Sequence, residues 1–254
     1  MGIRVLSYNI HKGFNASNNT FVLPQMRDAI LTTNTDILFL QEAQGKQHPR
    51  KLKKHLISEQ PQTEFLATDV WPYHVYAKNA VYATAHHGNG LLSRFPILAW
   101  ENINVSSTKR ASRSLLHGII QLPNHPTPVH VICIHLGLFK AERMGQLDLL
   151  SECIKEKIAA HAPLIIAGDF NDWRGHAEDH LENELALQEV FKKIHGEHAK
   201  TFPARHPTLK VDRIYFRGLK LEAAQIHDNL PWKRLSDHIP ISAEFSLLSE
   251  VEQL

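Results

Sequence analysis

The chain has 254 residues, with 28 Lys+Arg against 26 Asp+Glu for a formal net charge of +2, and 18 His. Its 43% hydrophobic and 21% charged residues describe a globular chain, long enough to bury a core without disulfide staples. Cys133 and Cys153 are too few for a disulfide framework and point to a reducing compartment, and no apolar run approaches the roughly 18 residues of a membrane span.

The opening MGIRVLSYNIHKG has too short an apolar stretch for a signal peptide, and Leu6 stands where a myristoylation signal needs Ser or Thr. The expected location is cytoplasmic. Ile3 to Tyr8 reads as a strand, Leu23, Met26, Ile30 and Leu31 mark one helix face, and Asp36 to Gln41 reads as a second strand. Strands follow at Tyr73 to Ala77, Gly90 to Arg94, Ile97 to Val105, Ser114 to Leu122 and Val129 to Leu136. Met144, Leu147, Leu150, Ile154 and Ile158 are spaced as a buried helical stripe. A strand at Leu164 to Ala167 and a helix near Leu185 to Ile194 come next, then strands near Arg213 to Phe216, Leu221 to Ile226 and Ile239 to Phe245. With no repeats, low-complexity tract or linker, residues 1–254 are expected to form a single α/β domain: a two-sheet β-sandwich flanked by helices, in four α/β/β/α layers.

Charge is uneven along the chain. Residues 1–127 carry 13 Lys+Arg against 7 Asp+Glu, and residues 128–254 carry 15 against 19. Much of the basic excess is one run, Lys46, Arg50, Lys51, Lys53 and Lys54, which reads either as a solvated helix face or as a polyanion-attracting patch. Polar residues meanwhile collect at strand ends: Asn9, Glu42, His135, Asp169, and the pair Asp237–His238. Loops outside strand ends are where rigid elements hold binding groups, so these residues are expected to converge in one site. Carboxylates (Glu42, Asp169, Asp212, Asp237), amides (Asn9, Asn171) and imidazoles (His135, His238) without a thiolate favour a hard cation, Mg2+ or Mn2+, as in a phosphoester-cleaving site.

SYNIHKG (7–13), FLQE (39–42), GNGLLSRFP (88–96), IHLGL (134–138), AGDFNDW (167–173), VDRIYF (211–216) and LSDHIP (235–240) occur in that order. Together they resemble the endonuclease/exonuclease/phosphatase superfamily of deoxyribonuclease-like metal-dependent phosphoesterases. Within it, the chain looks similar to a bacterial group without an assigned substrate, in which HLGL, GDFNDW and TFP…DRIY recur. The resemblance implies metal ligation by Glu42 with Asn9 and Asp237. It implies that Asp169 orients or deprotonates the attacking water and that Asn171 holds that water and the phosphate. His238, oriented by Asp212, would contact the phosphoryl oxygens or act as base, and His135 would donate to the phosphate or the leaving oxygen. Arg113 is a candidate phosphate contact, with Arg110 close enough in sequence to compete for that role; Asn89 reads as a turn former, and Arg143 as a helix-surface or cleft-rim residue.

Departures narrow the substrate. His11 stands where abasic-site enzymes carry an acid, and His135 where they use Tyr; Leu209-Lys210-Val211 precedes Asp212 where inositol 5-phosphatases have Trp-Cys. The expected function is a divalent-metal-dependent phosphodiesterase acting by in-line attack of activated water, on nucleic acid or a phospholipid-type headgroup. The alternatives are a phosphomonoesterase on a sugar or inositol phosphate, or a non-catalytic anion-binding module on the same fold. Without a coiled-coil seam, the chain is expected to be a monomer.

Overall fold

The computed structural model describes residues 2–45, 60–81, 86–106, 112–123 and 125–248. The basic run from Lys46 to Lys54 and Arg110 lie outside the described residues.

The first half runs β1 (Gly2–Asn9), α1 (Leu23–Leu31), β2 (Ile37–Gln44), α2 (Gln62–Ala67), β3 (Tyr73–Val81), β4 (His86–Ser93), β5 (Ile97–Asn104) and β6 (Ser114–Ile120). The second runs β7 (Val129–His135), α3 (Lys140–Lys157), β8 (Leu164–Asp169), β9 (Gln188–Glu189), α4 (Val190–His195), β10 (Asp212–Arg217), β11 (Leu219–Ile226), α5 (Trp232–Leu235) and β12 (Ile241–Leu247). Two mixed six-stranded sheets result, in the orders β11-β12-β1-β2-β4-β3 and β5-β6-β7-β8-β10-β9. The parallel pairs β1–β2 and β7–β8 sit near the middle of each sheet and need crossover connections, which α1 and α3 supply.

Strand periodicity sorts the core into layers. Val129, Val131 and Cys133 of β7 and Ile165 and Ala167 of β8 meet Ile3, Val5, Ile37 and Phe39 between the sheets. The alternate residues Ile132, Ile134, Leu164 and Ile166 face Leu147, Leu150 and Ile154 of α3. On the other sheet Leu6, Tyr8, Leu38 and Leu40 face Met26 and Ile30 of α1, Leu66 of α2 and Trp232 of α5. The four-layer α/β/β/α sandwich expected from the sequence is therefore the one observed.

Three expectations are corrected. The helix placed near Leu185 to Ile194 is confined to α4, because the Glu189 side chain accepts the Lys192 N–H at its start and Gly196 closes it in a left-handed conformation. The residues just before it, Gln188 and Glu189, are extended and pair with β10. Asn89 shapes no turn: it is fully buried inside β4 and donates to the Ser114 and Cys133 carbonyls. Arg143 is neither surface nor rim. It is buried, donates to the Leu138 carbonyl at 2.5 Å, and lies 5.2 Å from the Trp173 ring.

Candidate active site

Register assembles the site. His135 pairs with Asp169 across β7 and β8, and Asp169 pairs with Asp212 across β8 and β10, so three chemically active side chains stand in one row on adjacent strands. Each continues the alternate set that faces the other sheet (Val131-Cys133-His135, Ile165-Ala167-Asp169, Asp212-Ile214), and the row lies where the apolar core gives way to a cavity. From the facing sheet come Asn9, which ends β1, and Asp237–His238, which precede β12.

Glu42 reaches the site by another route. Ile37 and Phe39 face the other sheet and Leu38 and Leu40 face the helices, so strict alternation would send Gln41 inward and Glu42 outward. The β2–β4 pairing slips between Leu40 and Ala43, and Glu42 takes a left-handed φ of 57°. This bulge turns Glu42 into the cavity, and Ala43 packs on the helical side. Asn171 also has a left-handed φ, 50°, which an Asn tolerates better than most residues. Here it bends the chain so that the Asn171 side chain donates to Leu136 O at 2.9 Å and its backbone N–H donates to Asp169 Oδ1 at 2.9 Å.

Asn9, Glu42, Arg113, His135, Asp169, Asn171, Asp237 and His238 line one cavity of about 270 Å3. Asp212 stands behind His238. The His238 Nδ1 donates to Asp212 Oδ2 at 2.9 Å, which also accepts from Thr201 Oγ1 at 2.5 Å. His238 Nε2 lies 3.7 Å and His135 Nε2 3.6 Å from Asp169 Oδ2, the oxygen to which Asn9 Nδ2 donates at 3.2 Å. Ligand-capable atoms of Asp169, Asp212 and His238 fall within 4.8 Å of one another. Lys12 Nζ is 2.8 Å from Glu42 Oε2. Asp237, more open than the rest, has Oδ1 3.7 Å from His11 Nδ1.

Electrostatics divide the two imidazoles. Burial would lower His238, but the carboxylates of Asp212 and Asp169 outweigh it and hold the ring at about 10. Burial pushes His135 down to about 4, with Asp169 opposing and Arg113 reinforcing the fall. Burial raises the Asp169 carboxyl, offset only in part by His238 and His135. Burial also works to raise Glu42, yet His135 and Lys12 together hold it at about 2. Glu42 is thus a fixed negative charge facing the cavity.

Every described residue expected in the site is in it or directly behind it. Asp212 forms no ion pair with its neighbour Arg213, which pairs instead with Asp172 at 3.4 Å. Four contributors escaped the sequence reading. Lys12 and Thr201 lay in quoted motifs, SYNIHKG and TFP, without an assigned role. Ser236, whose hydroxyl donates to Asn9 O at 2.7 Å, ties β1 to the SDH segment. The apolar lining of Leu138, Trp173, Phe202 and Leu209 is visible only as a rim once loops meet. A second groove, of about 370 Å3 between β11, β12 and α1, gathers no comparable set of carboxylates and imidazoles.

A row of carboxylates and imidazoles at the open end of a four-layer α/β/β/α sandwich defines a class of phosphoester-processing proteins. The chain belongs to the endonuclease/exonuclease/phosphatase family, whose model matches residues 6–238. It is 42% identical over 244 residues to the uncharacterized protein YbhP of Escherichia coli K12, covering 96% of both chains. Its fold is similar to that of the mannosyl-6-phosphatase Bt3783 of Bacteroides thetaiotaomicron, at TM-score 0.73 and 17% identity over 96% of this chain and all of that one. The Danio rerio TDP2 structure complexed with a single-strand DNA product is similar at TM-score 0.70 and 16% identity, over 96% of this chain and 99% of that one. Among the described residues no helix is long and apolar enough to cross a membrane.

Proposed function

We propose that residues 1–254 act as one domain and a divalent-metal-dependent phosphodiesterase, hydrolysing its substrate by in-line attack of water. The observation that carries this reading is His238 held between Asp212 and Asp169, facing a cavity that also presents Glu42 and Asn9. Glu42, Asn9 and Asp237 offer carboxylate and amide oxygens with no thiolate, a donor set that suits Mg2+ or Mn2+. The ammonium of Lys12 on Glu42 shows that this carboxylate already attracts a cation. When bound, the ion would supply Lewis-acid polarisation of a phosphoryl oxygen.

The chain's own groups do the rest. Asp212 fixes the orientation of the His238 ring, leaving Nε2 directed at the cavity as a donor to phosphoryl oxygen. Because His238 already carries its proton, Asp169 is the group placed to take one from the attacking water, with Asn9 and the Asn171 N–H steadying its two oxygens. His135, kept neutral, and Arg113 face the phosphate and the leaving oxygen.

The test is turnover of an aryl phosphodiester and the matching monoester by purified protein with Mg2+ or Mn2+ and with chelator. Metal-dependent diester hydrolysis is expected, nearly abolished in Asp169→Ala and His238→Ala with the circular dichroism spectrum unchanged. Absence of metal-dependent turnover of either ester refutes the reading. A monoester preference would favour the second reading, a sugar phosphatase, for which the fold likeness to the mannosyl-6-phosphatase speaks.

A further inference from the structure

Strand order gives the cavity two unlike ends. Along the second sheet, Arg113 precedes β6, His135 ends β7, Asp169 ends β8, and Leu209 precedes β10. Along the first, Glu42 with Lys12 sits at β2 and His87, within electrostatic reach of Glu42 and Arg113, at β4. Lys12 and Arg113 therefore place two cations beside Glu42 at the β2/β6 end of the cleft. The β8/β10 end is apolar, lined by Trp173, Phe202 and Leu209, with Leu138 between.

That apolar end does not stop at the cavity. Leu138 is 60% exposed and Trp173 43%, and Phe139, next to Leu138 and outside the cavity lining, is 77% exposed. Two leucines, a phenylalanine and a tryptophan at loop tips around a catalytic mouth are costly in water unless something covers them. Two of the three tips also carry an adjacent exposed cation, Lys140 after Phe139 and Arg174 after Trp173, neither paired among the described residues, whereas Lys210 after Leu209 pairs with Glu197 at 2.8 Å. Apolar tips beside unpaired cations match a bilayer containing anionic headgroups. They match a polynucleotide poorly. Leucine offers a base no π-face, and the Trp173 ring already carries Arg143 at 5.2 Å.

We infer that the rim formed by Leu138, Phe139, Trp173 and Leu209 seats on an anionic lipid surface, and that the substrate is a phospholipid diester. Its phosphate meets the His135–Asp169–His238 centre, its apolar part lies along the Trp173 and Leu209 end, and its headgroup points to the Lys12 and Arg113 end. The inference rests on the phosphodiesterase reading for chemistry and on the rim alone for docking.

The test separates the two. Full-length protein in chelator is floated with vesicles of phosphatidylcholine alone, or of phosphatidylcholine and phosphatidylglycerol in equal parts; phospholipid turnover and turnover of a short soluble methyl aryl phosphodiester are measured with metal. Phe139 is the residue preceding α3, where Asp is a favoured cap, so Phe139→Asp keeps the helix. Wild type is expected to float with the phosphatidylglycerol vesicles and hydrolyse vesicle phospholipid. Phe139→Asp should partition about tenfold less or worse and lose vesicle turnover, while hydrolysing the soluble diester normally. Equal flotation of wild type and variant, or no flotation of either, overturns the inference, as does a single-stranded oligonucleotide that is cleaved in preference to phospholipid. Phe139-dependent flotation without soluble-diester turnover would instead sink the catalytic reading and leave the lipid surface standing.

Discussion

Replacing Asp212 by Asn probes the arrangement most sharply, because the side chain keeps its shape and loses only its charge. Asp212 Oδ2 accepts from His238 Nδ1 at 2.9 Å and from Thr201 Oγ1 at 2.5 Å, and its Oδ1 has no hydrogen-bond partner. A hydrogen bond between charged groups in such a site is worth about 1.5–3 kcal/mol. At 1.36 kcal/mol per decade of rate, its loss should lower kcat roughly 10- to 150-fold, with little change in KM. Asp212 is the first of the carboxylates that hold His238 at about 10, so the ring should titrate well below that in Asp212→Asn. The measurements are steady-state kinetics on the soluble diester and NMR titration of the His238 ring. A variant with wild-type kcat and an unmoved His238 titration would show that Asp212 does not orient the imidazole, and the relay would have to be abandoned.

Two further predictions rest on backbone and charge. Gly168 immediately precedes Asp169 with φ +151°, and a Cβ there would stand 2.0 Å from the Ile134 carbonyl oxygen. Gly168→Ala should therefore separate β7 from β8 and misplace Asp169; a wild-type melting temperature and wild-type turnover would contradict this. His238 has a folded value of about 10, above its ordinary 6.5, so its contribution to stability is complete below pH 6.5 and is lost as pH rises through 10. Glu42, lowered to about 2 from 4.5, contributes the opposite limb: present above pH 4.5 and lost as pH falls through 2. Thermal melts in chelator should thus decline toward pH 10 in wild type and much less in His238→Gln; parallel declines in both proteins would refute the assignment.

Much of this site was legible in the primary structure, for local reasons. A period of two placed Val131 and Cys133 on one strand face and carried His135 with them, and the strands that hold them were readable from apolar runs. Gly-Asp-Phe-Asn after a buried strand, and Ser-Asp-His before another, marked the chemistry because few structural demands produce those residues together. Two of the three corrections are of one kind. Asn89 looked like a turn residue and Arg143 like a surface one by type, but both are buried and satisfy backbone carbonyls that only appear when distant strands and loops meet.

The sequence by itself determined the strands, the layers and the residue types of the centre, because alternation and turn chemistry act over a few neighbouring residues. Tertiary structure decided the rest. Strand pairing put His135, Asp169 and Asp212 in one row, although 77 residues separate the first from the last. The bulge at Glu42 reversed the direction that alternation assigned to it. Loop packing joined Leu138, Trp173 and Leu209 into one apolar rim beside a charged centre. Each depends on contacts between segments far apart in the chain, and no local pattern encodes where such segments will meet.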